Sequence, residues 1–117
     1  MHFKLIVAVV EDADTEAIVN AARAAGATGS TVLNQAWGEG YAKERRRFLG
    51  LDVGGERDVI LMLVEEHLAR RILEQVGSVG RFDIESGAGL AFQIDVEDAI
   101  GVLHQQSLLH PRVEEEL

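Results

Sequence analysis

The chain patterns as an α+β sandwich of order β-α-β-β-α-β, a four-stranded antiparallel sheet with two helices on one face. Three observations carry this. FKLIVAVVE (3–11) and RDVILMLVE (57–65) are rich in β-branched residues and almost wholly apolar, as central strands buried on both faces must be. They end alike, in Val10-Glu11-Asp12 and Val64-Glu65-Glu66, and each is followed by a segment of helical apolar period. The single proline, Pro111, lies near the C-terminus, so almost the whole chain is free to form regular structure.

The elements follow in order. After the first strand, DADTEAIVNAARAAG places Ile18, Ala21, Ala22 and Ala25 on one helical face, with Asp14 as expected N-cap and Gly26 as the C′ glycine. GSTVLNQAW (29–37) is a second strand and 57–65 the third. EHLARRILEQVG sets Leu68, Ile72 and Val76 in register, with Gly77 expected to stop the helix. A glycine-bearing link, SVGRFDIESGAG, leads to a fourth strand, LAFQI (90–94). DVEDAIGV (95–102) is expected as a short helical turn capped by Asp95. The domain is expected to span 1–106, and 107–117 to form an acidic tail that frays at its end.

Composition narrows the function. A chain of 117 residues, 47% hydrophobic but only 5% aromatic, supports one domain with a core of Val, Leu, Ile and Ala. It has no cysteine, which removes disulfides, thiolate metal sites and Cys nucleophiles. A net charge of −9 argues against a nucleic-acid partner or adhesion to anionic lipid. The N-terminal apolar run, Leu5 to Val10, is closed by Glu11 and Asp12 and is too short for a signal or a membrane span, so a cytoplasmic location is expected. His2, His67, His104 and His110 are too dispersed to suggest a metal site, and no nucleophile elbow, Walker loop or H-E-x-x-H is present, so no catalytic residue is assigned.

Two features remain. The first and third strands are apolar on both sides, yet two helices can cover only one face; other copies of the chain are the economical cover. The stretch GEGYAKERRRFLGLDVGGERD (38–58) concentrates four of eleven Lys and Arg at Lys43, Arg45, Arg46 and Arg47 and holds five glycines. A basic patch in an acidic chain suits docking on an acidic partner.

KLIVAVVEDADTEAIVNAARAAGATGSTV, then a long connection, VILMLVEEHLARRILEQV, SGAGLAF and VEDAI together resemble the PII-like signal-transduction (nitrogen regulatory protein P-II) family, over about Lys4 to Ile100. The resemblance implies a ferredoxin-like homotrimer, adenine-nucleotide binding in clefts between subunits, and a T-loop at about 38–56 that docks on a membrane transporter, enzyme or regulator. Residue by residue, it implies that Val9 and Thr31 frame the adenine, that Gly38 and Gly40 form the glycine pair at the T-loop base, and that Arg57 stands near a nucleotide-contacting lysine. Gly87 and Gly89 match the glycines of a phosphate-facing B-loop, about Gly80 to Gly89.

The chain also departs from the family. Leu90 stands where typical members carry a phosphate-binding lysine, and Gly101, Val102 and Leu103 follow VEDAI where two arginines are usual. Loss of these cations points to AMP, ADP or a cyclic nucleotide, or a small anion, rather than ATP. Tyr41 lies close to the loop's base, in a context unlike that of the tyrosine modified in some members. A trimer of the divalent-cation-tolerance type, a metal-responsive binding protein, is the alternative sharing this element order.

Overall fold

The computed structural model describes residues 1–36 and 56–116; the basic and glycine-rich stretch, apart from Glu56 to Asp58, lies outside the described residues. The elements are β1 (Phe3–Val10), a 3₁₀ turn (Asp12–Asp14), α1 (Thr15–Ala25), β2 (Thr31–Ala36), β3 (Arg57–Glu65), α2 (Glu66–Gly80), β4 (Gly89–Val96) and α3 (Leu103–Glu116). The four strands form one antiparallel sheet in the order β2-β3-β1-β4. The two apolar runs are thus the two central strands, paired in register from Phe3 opposite Glu65 to Val10 opposite Asp58.

Alternation divides the sheet. Ile6, Ala8 and Val10 of β1 join Ile60, Met62 and Val64 of β3 in the buried core. Ile18, Ala22 and Ala25 of α1 and Leu68, Ala69, Ile72 and Val76 of α2 close over them, as their spacing predicts. Each fully buried Ile or Leu there contributes roughly 1.5–3 kcal/mol, which makes this layer the main source of stability. The opposite face carries Leu5, Val7, Val59, Leu61, Leu63 and Phe92, all half-buried, and Leu33 and Ile94 are about half exposed. No described helix covers it.

Several boundaries differ from expectation. Asp14 occupies the N-cap of α1 but makes no side-chain capping bond; a 3₁₀ turn precedes the helix instead. Gly26, at φ 124°, ends α1, and Ala27 N–H closes the turn on the Ala22 carbonyl at 2.9 Å. Gly77 does not stop α2, which runs on to Gly80 and ends at Arg81 in the left-handed region, φ 55°. A glycine inside a helix lowers its stability without breaking it, and here the packing of Val76 and Gly80 carries the helix past it.

The expected helical turn at 95–102 is likewise absent. β4 continues through Asp95 and Val96, because Asp95 lies opposite Lys4 and pairs with it at 2.9 Å. The segment expected to be a fraying tail is instead α3. Leu109 and Val113, four residues apart, are both buried against the core, and that stripe holds a helix of 14 residues despite Pro111 within it.

Candidate functional site

Arg57, the first residue of β3, is the hub of one corner. Its side chain is buried, and its guanidinium donates to the Gly87 carbonyl at 2.8 Å and the Ala88 carbonyl at 3.3 Å. Nη1 also pairs with Glu11 Oε1 at 3.3 Å, just beyond β1. A planar fork suits this three-way contact, which an ammonium would make less well. Ala88 N–H is itself taken, donating to the Glu85 carbonyl at 3.2 Å, so the loop is closed by its own backbone as well as by Arg57.

The loop needs its glycines. Gly87 has φ 77°, and at Gly89 (φ 155°) a Cβ would collide with the Val9 carbonyl and lie 2.7 Å from the Phe82 ring. The same ring lies against Gly80. Val9, 2% exposed, pairs with Leu90 across the strands, so the close approach of β4 to β1 begins here.

Asp58, one residue on, is 1% exposed. It accepts from Thr15 Oγ1 at 2.6 Å and from Gln35 N at 3.3 Å. Gln35 has φ 58° and lies in the irregularity between Leu33 and Ala36, so a buried carboxylate steadies the end of β2 where the undescribed residues begin. Asp12 also faces Asp58. A hydrogen bond to Asp58, and then its charge, holds the Asp12 carboxyl above the usual carboxylate range.

Among the described residues, charge at this corner is balanced or negative. Arg57 pairs with Glu11, and Arg81 pairs with Glu85 at 2.6 Å. Leu90 begins the strand after the loop and lines, with Leu73, Phe82, Ile84 and Ala91, a groove of about 520 Å³ between α2 and β4.

Of the residues singled out from sequence, Val9, Arg57, Gly87 and Gly89 converge here. Thr31 does not. It opens β2 opposite Leu61 and lines a separate cleft of about 250 Å³ with Thr28, Gly29, Ser30, Leu63 and Gln105. Gly38, Gly40, Lys43, Arg45, Arg46 and Arg47 lie outside the described residues. Sequence patterning missed Asp58, Gln35 and Gln105 as members of these sites. For Asp58 a signal exists, since an acid in the first positions of an otherwise apolar strand needs a partner.

At the other end of the sheet, Glu65, Glu66 and His67 bring potential metal ligands within 4.8 Å of one another. Glu65 is 1% exposed, and both its oxygens meet His67: the backbone N–H at 2.7 Å and Nδ1 at 2.6 Å. The group therefore closes on itself as the cap of α2. The Glu65 hydrogen bond, and then its charge, raise the His67 pKa above its usual 6.5. No helix among the described residues is long and apolar enough to cross a membrane.

Comparison with known proteins places this architecture. No curated protein matches the sequence. Among solved structures, the divalent ion tolerance protein CutA1 from Ehrlichia chaffeensis matches at TM-score 0.65 with 10% identity, over 88% of this chain and 89% of that one, a likeness of fold alone. A PII-like signalling protein from Thermus thermophilus matches at TM-score 0.60 with 26% identity, over 82% of this chain and 88% of that one. The family model described as nitrogen regulatory protein P-II matches residues 3–106, from the first residue of β1 into α3. The chain belongs to the P-II family of signalling proteins.

Proposed function

We propose that this P-II family member binds a small effector in clefts between the subunits of a homotrimer and docks on a membrane transporter or regulated enzyme through residues 38–56. Its role is regulatory rather than catalytic. The effector is an adenine nucleotide of low phosphate count (AMP, ADP or a cyclic nucleotide) or a small anion. The Arg57 bridge carries this reading. Arg57, the residue that follows the docking segment, is tied to the Gly87 and Ala88 carbonyls, so an effector settling on that loop would bias the segment between free and docked populations. Support for self-association comes from the apolar sheet face, which no described helix covers. Support for few phosphates comes from the arginines at this corner, Arg57 and Arg81, each held by an acid, and from Leu90.

Calorimetry with AMP, ADP, cyclic AMP and ATP, with and without magnesium, tests the effector class, and light scattering tests the assembly. Binding of a mono- or diphosphate by a trimer is the expected result. A monomer at micromolar concentration, or submicromolar magnesium-dependent ATP binding, overturns the corresponding part. Replacement of Arg45, Arg46 and Arg47 by glutamate should abolish partner binding and leave the trimer intact.

A further inference from the structure

The end of β2 carries an extra residue. From Leu33 to Ala36 the strand takes three steps while β3 takes two, from Val59 to Arg57, so Asn34 and Gln35 together stand opposite Asp58. Gln35 takes the left-handed conformation there, φ 58°, which a residue with a side chain keeps only where its surroundings hold it. The holder is Asp58. Its carboxylate, 1% exposed, accepts the Gln35 backbone N–H on Oδ1 at 3.3 Å and the Thr15 hydroxyl on Oδ2 at 2.6 Å. The bulge is thereby fastened to the first residue of α1.

Burial specifies the register of β2 weakly. It is an edge strand with β3 as its neighbour, its residues are mostly exposed, and Val32 is the one that packs against the core. The bulge decides what lies at the strand's end. With it, Ala36 stands opposite Arg57, whose guanidinium reaches the Gly87 and Ala88 carbonyls. Without it, the pairing of Thr31 with Leu61 would run on and set Ala36 opposite Glu56, one residue off that corner.

We propose that Asp58 is a positioning residue for the docking segment. By fastening the Gln35 bulge it holds Ala36, which precedes residues 38–56, opposite Arg57, which follows them, so both ends of the segment meet at one corner. This rests on the reading that 38–56 docks on a partner, and it adds the residue that sets the segment's two ends in register. A valine would suit this strand position as well as Val59 and Ile60 suit theirs, and a buried carboxylate is costly, so the acid serves the bulge rather than the strand.

Asp58→Val in the full-length protein, followed by NMR, is the test. Gln35 should leave the left-handed region, and its N–H should exchange roughly tenfold faster or more. Ala36 should move from Arg57 to Glu56, with Thr31 still opposite Leu61. Asp58→Asn should retain the wild-type pattern, because the amide oxygen still accepts from Gln35 and the NH₂ donates to Thr15. Deleting Gln35 removes the extra residue, so Ala36 follows Asn34 into place opposite Arg57 without a bulge. On that background Asp58→Val should leave the register unchanged, a rescue that mere support of the fold would not give. Asp58→Ala serves if the valine variant does not fold. An unchanged Gln35 conformation and register in these variants overturns the proposal, as does a register that still shifts in the deletion background. If the register shifts as expected but glutamate at positions 45, 46 and 47 spares partner binding, the docking reading fails and takes the functional part of the proposal with it, while the hold of Asp58 on β2 stands.

Discussion

The chain makes nearly the same turn twice and uses it differently each time. β1 ends in Val10-Glu11-Asp12 and β3 in Val64-Glu65-Glu66, and both lead into a helix of the same layer. At the second junction the first acid turns inward. Glu65 is 1% exposed and spends both oxygens on His67, capping α2. At the first junction Glu11 stays half-exposed and reaches the Arg57 guanidinium, while Asp12 faces Asp58. Here the helix begins through a 3₁₀ turn without a side-chain cap, and Thr15 sends its hydroxyl to Asp58. One acid pair serves a helix terminus. The other joins α1, β2, β3 and the 87–89 loop into the corner that the proposed function uses.

The largest effect expected is at the second junction. Glu65→Ala removes a buried, charge-assisted cap and should cost roughly 2–3 kcal/mol in urea unfolding. Glu11→Ala removes a partly solvated ion pair whose arginine keeps its two carbonyls, and should cost less than about 1 kcal/mol. The same Glu11 variant should nevertheless alter effector binding, because Arg57 loses the acid that fixes one side of its fork. Equal stability losses for the two variants would erase the distinction between a folding junction and a functional one.

Much of this contrast is invisible in sequence for a definable reason. β1 and β3 were legible to within a residue because continuous β-branched runs leave little choice. Gly87 and Gly89 were singled out through the family resemblance, and the structure shows a conformational need at each: φ 77° at Gly87 and, at Gly89, an approach to the Val9 carbonyl that leaves no room for a Cβ. The Arg57–Glu11 pair joins residues 46 apart, and the Thr28–Gln105 bond joins residues 77 apart, so no local pattern reports them. Helix α3 was missed because, among the described residues, Leu109 and Val113 are its buried apolar side chains, set amid Gln, His and Glu and around a proline. Two residues of stripe are too few to outweigh that composition until the receiving surface is known.

The two junctions also titrate in different windows. His67 has a raised pKa, so its contribution is fully present below about 6.5, its usual value, and is lost as pH rises through the folded-state pKa. Asp12 is raised too. Its contribution is present below its usual 3.8 and is lost as pH rises through its own, higher folded-state value. Unfolding free energy followed against pH should therefore fall in two separate steps as pH increases. Glu65→Gln, which keeps an acceptor for the His67 N–H but removes the charge, should flatten the upper step only. Asp58→Asn should flatten the lower step only. If one substitution flattens both, the junctions are coupled through the sheet rather than independent.

The smallest effect sharpens the comparison by its sign. Asp95 lies at the edge of the sheet and has its pKa lowered by hydrogen bonds from His2 at 2.8 Å and Lys4 at 2.9 Å. A depressed acid works in the opposite sense to Asp12. Its contribution is present above the usual 3.8 and is lost as pH falls through the folded-state value. In the wild-type protein this acid limb opposes the Asp12 step and partly masks it below about pH 4. Asp95→Asn should therefore steepen the Asp12 step on the acid side and change little near neutrality, since an exposed ion pair stabilises weakly. The pair should also weaken with added salt, whereas the buried hydrogen bonds of Asp58 should not. If the Asp95→Asn profile superimposes on wild type at low and high salt, the lower step belongs to the Asp12 junction without a counter-term from the sheet edge.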